Sequence, residues 1–284
     1  MVEPPDAEVV RRVVAGALAE DRVAEDVTTL ATVQPGLRGR AAFIAREAGV
    51  LGGEAVLREV FAQIGAGVVL SMRVHDGEAF AADSVLGTAE GPVRALLQGE
   101  RVALNFLQRL SGVATSTRAF VDAAAGTGTT ILDTRKTTPG LRDFEKYAVR
   151  CGGGTNHRRD LAAMAMIKDN HREALAREGL TLSDGVAAIR ARSPGIEVEV
   201  EIDSLAELAA ALAAKPEWIL LDNMSRKEVS DAVHIVAGRA KLEASGGITL
   251  ATVEAMAKTG VTAISVGALT HSARALDISL DLEF

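Results

Sequence analysis

One cysteine, Cys151, is all the chain has, so an internal disulfide and a cysteine-based zinc framework are both excluded. Set beside glycines, it reads as a small packing residue rather than a nucleophile. Aromatic residues make up only 3% of the sequence, too few to build stacking platforms for nucleobases. Basic residues are outnumbered, 31 against 38 acidic ones, giving a formal net charge of −7 and a pI near 5.4. That balance argues against non-specific binding to nucleic acid or to an anionic membrane. No apolar run approaches the roughly 18 residues of a membrane span, and the opening MVEPPDAEVV lacks the basic and apolar regions of a secretory signal. A cytoplasmic protein with no nucleic-acid or membrane partner is expected. Neither G-x-x-x-x-G-K-[ST] nor G-x-G-x-x-G occurs, so ATP and dinucleotide folds lose support, and there is no G-x-S-x-G nucleophile elbow.

Against the acidic background, one stretch is basic. From Arg135 to Arg172 there are nine Lys or Arg and four Asp or Glu, a balance of +5, with His157 and His171 in addition. Several of these cations stand at the ends of short apolar runs beside glycines. A concave site holding them together suits a multiply charged anion, because each cation left unpaired there is costly. A solvated, salt-bridged surface is the alternative for any single charge run.

The 284 residues suffice for one or two domains. Residues Asp6 to Glu20 carry apolar positions at helical spacing, and Asp26, Thr28 and Thr29 read as caps or turn formers. A strand over Arg38 to Arg46, a helix over Glu54 to Ile64 and a strand over Val68 to Val74 follow. Asp76-Gly77 has the chemistry of a hairpin turn leading to a strand over Ser84 to Gly91. These elements make an α+β domain. A long apolar-faced helix over Gly99 to Thr115 then leads onward, with Arg101 at its beginning, where the helix dipole and a cation together favour an anion.

From Thr129 the pattern changes to apolar runs ending ILDTRK, AMIKDN, EVEVEID, WILLDN, LEASGG and AISVGA. The steps from Asp133 to Lys168, Glu201, Asp222, Ser245 and Gly267 are 35, 33, 21, 23 and 22 residues, a spacing that fits βα units. A barrel is favoured over a doubly wound sheet because nearly every run ends on a charged or glycine-rich tip, and a barrel brings such tips to one face. The last residues alternate strictly: Leu276, Ile278, Leu280, Leu282 and Phe284 against Asp277, Ser279, Asp281 and Glu283. They read as a half-buried strand returning to the sheet of the first domain.

The tips supply Arg135, Lys136, His157, Arg158 and Lys168 as cations, Glu201 and Asp222 as carboxylates, and two glycine turns, Ser245-Gly246-Gly247 and Val266-Gly267-Ala268, whose amides suit a phosphate. Carboxylates among cations and phosphate turns suggest Mg²⁺; pairing of Glu201 and Asp222 with Lys or Arg is the plainer reading. Lys168 also stands where a Schiff-base lysine would, but such a lysine needs an apolar pocket, and its neighbours Asp169 and His171 are polar. The residues alone imply an enzyme for a phosphate-bearing polyanion and a second anionic substrate, with a non-catalytic anion-binding module as the other class.

The string DTRKTTPGLRDFEKYAVRCGGGTNHR, followed in order by IKDNH, EVEVEIDS, LLDNMS, EASGGI and SVGALTHSA, closely resembles the quinolinate phosphoribosyltransferase family from about Glu25 onward. The resemblance implies an incomplete TIM-like α/β barrel (residues 113–269) plus a smaller N-terminal α+β sandwich domain (1–112) completed by the C-terminal strand (270–284). It implies Mg²⁺-dependent transfer of phosphoribosyl from phosphoribosyl pyrophosphate to quinolinate with decarboxylation, in NAD biosynthesis. It also implies a homodimer, open to higher assembly, in which Arg101 reaches the neighbour's site. Carried over, Arg101, Arg135, His157, Arg158 and Lys168 would hold the two carboxylates, with Thr134 at the same tip, and Lys136 would meet the pyrophosphate. Glu201 and Asp222 would bind ribose hydroxyls and metal, and Ser245 to Gly247 with Val266 to Ala268 would hold the 5′-phosphate. Lys136, Lys168, Glu201 and Asp222 are then the expected catalytic set. One departure is Ala163, where the family often has an acidic residue. A molybdenum-transport-associated relative acting on another anionic heterocycle shares the fold and is the nearest alternative.

Overall fold

The computed structural model describes residues 2–65 and 67–283, so Phe284 of the expected terminal strand lies outside the described residues. Helix α1 (Ala7–Glu20) starts where the Asp6 carboxylate accepts from the backbone N–H groups of Glu8 and Val9. Helix α2 (Val27–Thr32) starts the same way, Asp26 accepting from Thr28 and Thr29, which makes these three residues a cap and its first turn. Strands β1 (Arg38–Ala45) and β2 (Gly49–Val50) lead to α3 (Glu54–Ile64), then β3 (Val69–Met72), β4 (Ala79–Phe80) and β5 (Val85–Pro92). Helix α4 (Val93–Ala123) follows without a loop. Beyond it come β6 (Thr130–Leu132), α5 (Arg142–Cys151), β7 (Ala165–Ile167), α6 (Asp169–Arg177), α7 (Leu182–Arg192), β8 (Val198–Ile202), α8 (Leu208–Ala213) and β9 (Trp218–Asp222). The chain ends with α9 (Arg226–Val236), β10 (Lys241–Ser245), α10 (Leu250–Ala257), β11 (Ala263–Ser265), α11 (Ala268–His271) and β12 (Ile278–Glu283).

These elements form two compact units, one from the described parts of 1–118, 137–153 and 268–284, the other from 119–136 and 154–267. The first is built on an antiparallel sheet of order β12-β1-β5-β3. The C-terminal strand does return to it, pairing with β1 from Arg40↔Glu283 to Ala45↔Ile278. Its alternation is softened: Ile278 is buried, but Leu280 and Leu282 are only half-buried, as suits an edge strand.

Two expectations fail in this unit. Asp76-Gly77 does not close a two-residue hairpin, because β3 pairs with β5 across a twelve-residue connection, from Met72 to Val85, and β4 pairs with β2. The Asp76 side chain instead completes α3. Gly53, at φ +116°, occupies the N-cap without a side chain, and Asp76 accepts from the N–H groups of Gly53 at 2.8 Å and Glu54 at 3.1 Å. The Tyr147 hydroxyl donates to the same carboxylate. The second failure is the start of the long helix. Gly99 is no boundary; it is a close approach inside α4, where a Cβ would sit 2.7 Å from Phe61. Arg101 therefore lies eight residues beyond Val93, away from the orphan amides of the helix start, and its expected dipole assistance is absent.

Buried polar groups in this unit are matched closely. Glu145, fully buried, takes Arg109 at 2.6 Å and both the N–H and hydroxyl of Thr138, while Arg109 also donates to the carbonyls of Ala273 and Thr270. One charge pair thus ties α4, α5 and α11 together. Cys151 packs with Val50, Ala114 and Tyr147 as a buried apolar residue.

The second unit is a six-stranded parallel sheet of order β6-β11-β10-β9-β8-β7. Its first two strands in sequence occupy opposite edges, and this is the incomplete barrel. Two connections depart from one strand, one helix. Helix α5, between β6 and β7, belongs to the first unit, and two helices, α6 and α7, join β7 to β8. Those are the two long intervals in the sequence spacing. Within β8, Val198, Val200 and Ile202 are buried on one face, leaving Glu199 and Glu201 on the other.

Two outcomes test this picture. Replacing Asp76 with Ala strands two amides and a phenol, and is expected to cost about 2 kcal/mol in urea unfolding; an unchanged midpoint would contradict the remote cap. Burial, with the Asp76 carboxylate second, pushes the Cys151 thiol up to about 12. Iodoacetamide at pH 8 is therefore expected to spare Cys151 in the native protein and to label it in urea, and rapid native labelling would contradict its packing role.

Candidate active site

Because every strand of the second unit is parallel, their C-terminal ends share one rim. Thr134, Arg135 and Lys136 follow β6, Lys168 follows β7, Glu201 and Asp222 close β8 and β9, Ser245 to Gly247 close β10, and Val266 and Gly267 follow β11. The rim thus gathers most of the residues expected there. Thr134 and Arg135 are half-buried and Lys136 is exposed, with the Thr134 hydroxyl accepting from the Lys136 N–H at 3.0 Å. The Thr134 side chain shapes the turn that presents the two cations.

Lys168 and Glu201 meet directly across adjacent strands as an ion pair. Asp222 accepts from the Asn223 side-chain amide at 2.8 Å, and the Asn223 N–H donates to the Ser245 carbonyl at 2.8 Å. The same asparagine fixes the glycine turn: Gly246 has φ +92°, and a Cβ there would lie 2.2 Å from Asn223 Oδ1. Asn223, at φ +53°, was not singled out from the sequence, although the D-N pair after an apolar strand is a turn signal. At the next tip one expected donor is already used. The Val266 N–H donates to the Leu132 carbonyl at 2.9 Å, and Val266 is buried, so any anion contact there falls to its successors.

The histidine-arginine segment does not stand on the open rim. Asp133, fully buried, accepts from the His157 N–H at 2.8 Å and the Asn156 side chain at 2.7 Å, and this turns the chain inward after the Leu132↔Thr155 bridge. The His157 ring, only 8% exposed, places Nε2 at 3.2 Å from Glu199 Oε2 and 3.0 Å from Glu243 Oε2. Arg158 donates to the Met164 carbonyl at 3.1 Å; burial first, then nearby Arg135, lowers its pKa, while Glu199, Glu201 and Glu243 oppose that shift. Both residues line a cavity of about 380 Å³ with Glu197, Trp218 and Glu243. The Lys241 ammonium lies 4.7 Å from the centroid of the Trp218 ring.

Glu199 and Glu243 escaped the sequence reading. The signal was present: each stands two residues before a chosen tip residue, Glu201 or Ser245, and so faces the same side of its strand. Burial works against a charged His157, while the two glutamates favour it and would raise its pKa to about 10. The second ring proton would have to sit on Nδ1, where the Arg158 N–H already donates at 2.7 Å. At this geometry Nδ1 is an acceptor, and the ring is a neutral Nε2–H tautomer. Burial pushes the Glu199 carboxyl up, with Glu243 reinforcing the shift against His157, so the compensating proton falls on that acid.

Among the described residues, His157, Glu199 and Glu243 form the group of three donors close enough to hold a metal ion, and it is not the expected pair. Glu201 and Asp222 still suit a hard divalent ion: both are oxygen donors at the ends of neighbouring strands, and only one carries a cation partner among the contacts described. Ala163, at the usually acidic position, is exposed, and its N–H donates to Asp160 at 3.0 Å, which anchors that loop through backbone instead. In the other unit, Arg101 is exposed and lines a cavity of about 490 Å³ with Asp21, Arg22, Asp26 and Gln98. Ala268 also belongs to that unit, as the first residue of α11. No helix among the described residues is long and apolar enough to cross a membrane.

Comparison with known proteins identifies the family. Family models for the N-terminal and C-terminal domains of quinolinate phosphoribosyl transferase match residues 26–111 and 113–281. The chain is 44% identical to the nicotinate-nucleotide pyrophosphorylase [carboxylating] of Mycobacterium leprae, over 99% of this chain and 100% of that protein. It is 43% identical to a probable enzyme of the same name from Bacillus subtilis, over 85% and 83%. The solved nicotinate-nucleotide pyrophosphorylase of Francisella tularensis superposes with a TM-score of 0.93 at 37% identity, covering 100% of this chain and 99% of that one. With both domain models matched in order and full-length relatives this similar, the chain belongs to the quinolinate phosphoribosyltransferase family.

Proposed function

We propose that the protein transfers phosphoribosyl from phosphoribosyl pyrophosphate to quinolinate with loss of CO₂, giving nicotinate mononucleotide and pyrophosphate for NAD biosynthesis. The observation that carries this reading is the shared rim, where Arg135, Lys136, the Lys168–Glu201 pair, Asp222 and the Gly246 turn follow consecutive parallel strands. The relatives' names supply the reaction.

In this reading the pyridine nitrogen bonds to C1′ as the bond from C1′ to pyrophosphate breaks. The ring then carries positive charge and takes up the electron pair released when the 2-carboxylate leaves as CO₂; a proton replaces it, so no organic cofactor is needed. Arg135, Arg158 and Lys168 hold the two carboxylates, with His157 beneath them and Arg101 contributed by the second copy of a homodimer. Lys136 meets the departing pyrophosphate. Glu201 and Asp222 hold the ribose hydroxyls, and their negative charge opposes the positive charge that develops at C1′. The same two carboxylates would hold Mg²⁺, whose chemistry is to neutralise diphosphate oxygens. Amides of Ser245 to Gly247, with that of Gly267, take the 5′-phosphate.

Selectivity follows from charge. Quinolinate fills two anion positions and nicotinate one, and desolvated cations left unfilled penalise the monoanion by several kcal/mol. With Mg²⁺ and phosphoribosyl pyrophosphate, mononucleotide and CO₂ are expected from quinolinate, and nicotinate is expected to fall at least ~100-fold lower in kcat/KM. Comparable use of nicotinate would defeat the charge argument. Arg135→Ala is expected to lower kcat/KM for quinolinate by on the order of 100-fold or more. Gly246→Ala adds a clash and a strained φ worth about 1–3 kcal/mol, so the KM for phosphoribosyl pyrophosphate is expected to rise roughly tenfold; an unchanged KM would remove that turn from the phosphate site.

A further inference from the structure

The barrel interior contains two glutamates that the reaction above does not use. Glu199 is fully buried, Glu243 is 1% exposed, and both face the His157 Nε2 edge from strands that are not neighbours, β8 and β10. Glu199 Oε2 comes within 3.2 Å of Nε2 but out of hydrogen-bond alignment, so neither Glu199 oxygen has a hydrogen-bond partner among the described residues. Two carboxyl groups placed this deep are expensive unless something specific holds them. The ring's other nitrogen faces the chain itself, accepting the Arg158 backbone N–H at 2.7 Å. His157 is therefore a bridge: one edge reaches the barrel wall and the other reaches the residue whose guanidinium serves the substrate.

We propose that Glu199 and Glu243 are positioning residues of the active site: together they face and orient the Nε2–H edge of His157, whose Nδ1 accepts from the Arg158 N–H, and so fix Arg158 from inside the barrel. The link has few alternatives. The His157 backbone N–H is already committed to Asp133, so the segment is pinned at its main chain and at its ring. A shift of the ring off the glutamates breaks the only tie between Arg158's backbone and the strands β8 and β10 that the described contacts provide. The arginine itself keeps weak holds, a carbonyl at 3.1 Å and the Met166 sulfur at 3.4 Å, which do not fix a guanidinium against a charged substrate.

The effect on turnover rests on the quinolinate reading; the ring geometry does not, and the experiment separates them. In the substrate-free protein labelled with ¹⁵N-histidine, His157 is expected at pH 7 as a ring protonated on Nε2 and unprotonated on Nδ1. A ring protonated on both nitrogens, or on Nδ1 alone, overturns the proposal. In kinetics, Glu199→Leu is expected to raise the KM for quinolinate about tenfold or more while the KM for phosphoribosyl pyrophosphate stays within about twofold. Glu199→Gln, whose amide oxygen still faces the Nε2–H edge, is expected to stay within about threefold of the parent in both. Equal damage from Leu and Gln, or a parallel rise of both KM values, reduces Glu199 to packing and overturns the proposal. Should Glu199→Leu fail to fold, Glu243→Leu and the tautomer of His157 in Glu199→Gln give the same decision. If the parent enzyme shows no quinolinate turnover, the functional reading fails while the NMR result still decides the bridge.

Discussion

Charge placed inside a parallel barrel has to find its partner inside that barrel, and the architecture of the second unit follows from this constraint. Parallel strands covered by helices normally carry apolar side chains on both faces. Here β8 and β10 turn Glu199, Glu201 and Glu243 toward the interior, where the low dielectric multiplies the cost of each unmatched group. Glu201 is met by Lys168 from the next strand, and Glu199 with Glu243 by the ring of His157. The first unit obeys the same rule with different residues, Glu145 being enclosed by Arg109 and Thr138. In both, polar groups that would otherwise be liabilities decide which elements meet.

The second unit is consequently organised in two tiers. The rim tier runs from Arg135 and Lys136 round to Gly246 at the C-terminal ends of the strands. The inner tier, His157 with its glutamates, is closed off by burial and acts on the rim only through main-chain and ring hydrogen bonds. On the proposed reading, an arginine held this way would be preorganised, its backbone ordered before an anion arrives, so that less ordering is charged against binding.

Much of this was legible in the sequence, for identifiable reasons. Strand tips were readable because a parallel βα repeat places them at regular intervals, and β12 because period-two alternation specifies an antiparallel edge. Caps such as Asp26 are local, so neighbouring residues suffice to find them. What escaped was non-local. Asp76 looks like half of a hairpin until α3 is seen to need a cap from 23 residues away. Gly99 looks like a boundary until Phe61 is found against it, and α5 looks like a barrel helix until its buried Glu145 is paired with Arg109 of α4. The amide of Val266 was counted toward a phosphate because no sequence pattern reveals that Leu132 already holds it. Glu199 and Glu243 were missed for another reason: attention went to the last charged residue of each strand, while alternation marks the one two positions earlier just as clearly.

Trp218 opens β9 and is the chain's single tryptophan, lying against the Lys241 ammonium in the wall of the cavity that also contains His157 and Glu243. Indole emission is governed by nearby charge and by access to water. Excited at the red edge of its absorption, where Tyr147 of the antiparallel unit does not absorb, the protein thus emits from the second unit alone, a built-in optical probe of the barrel.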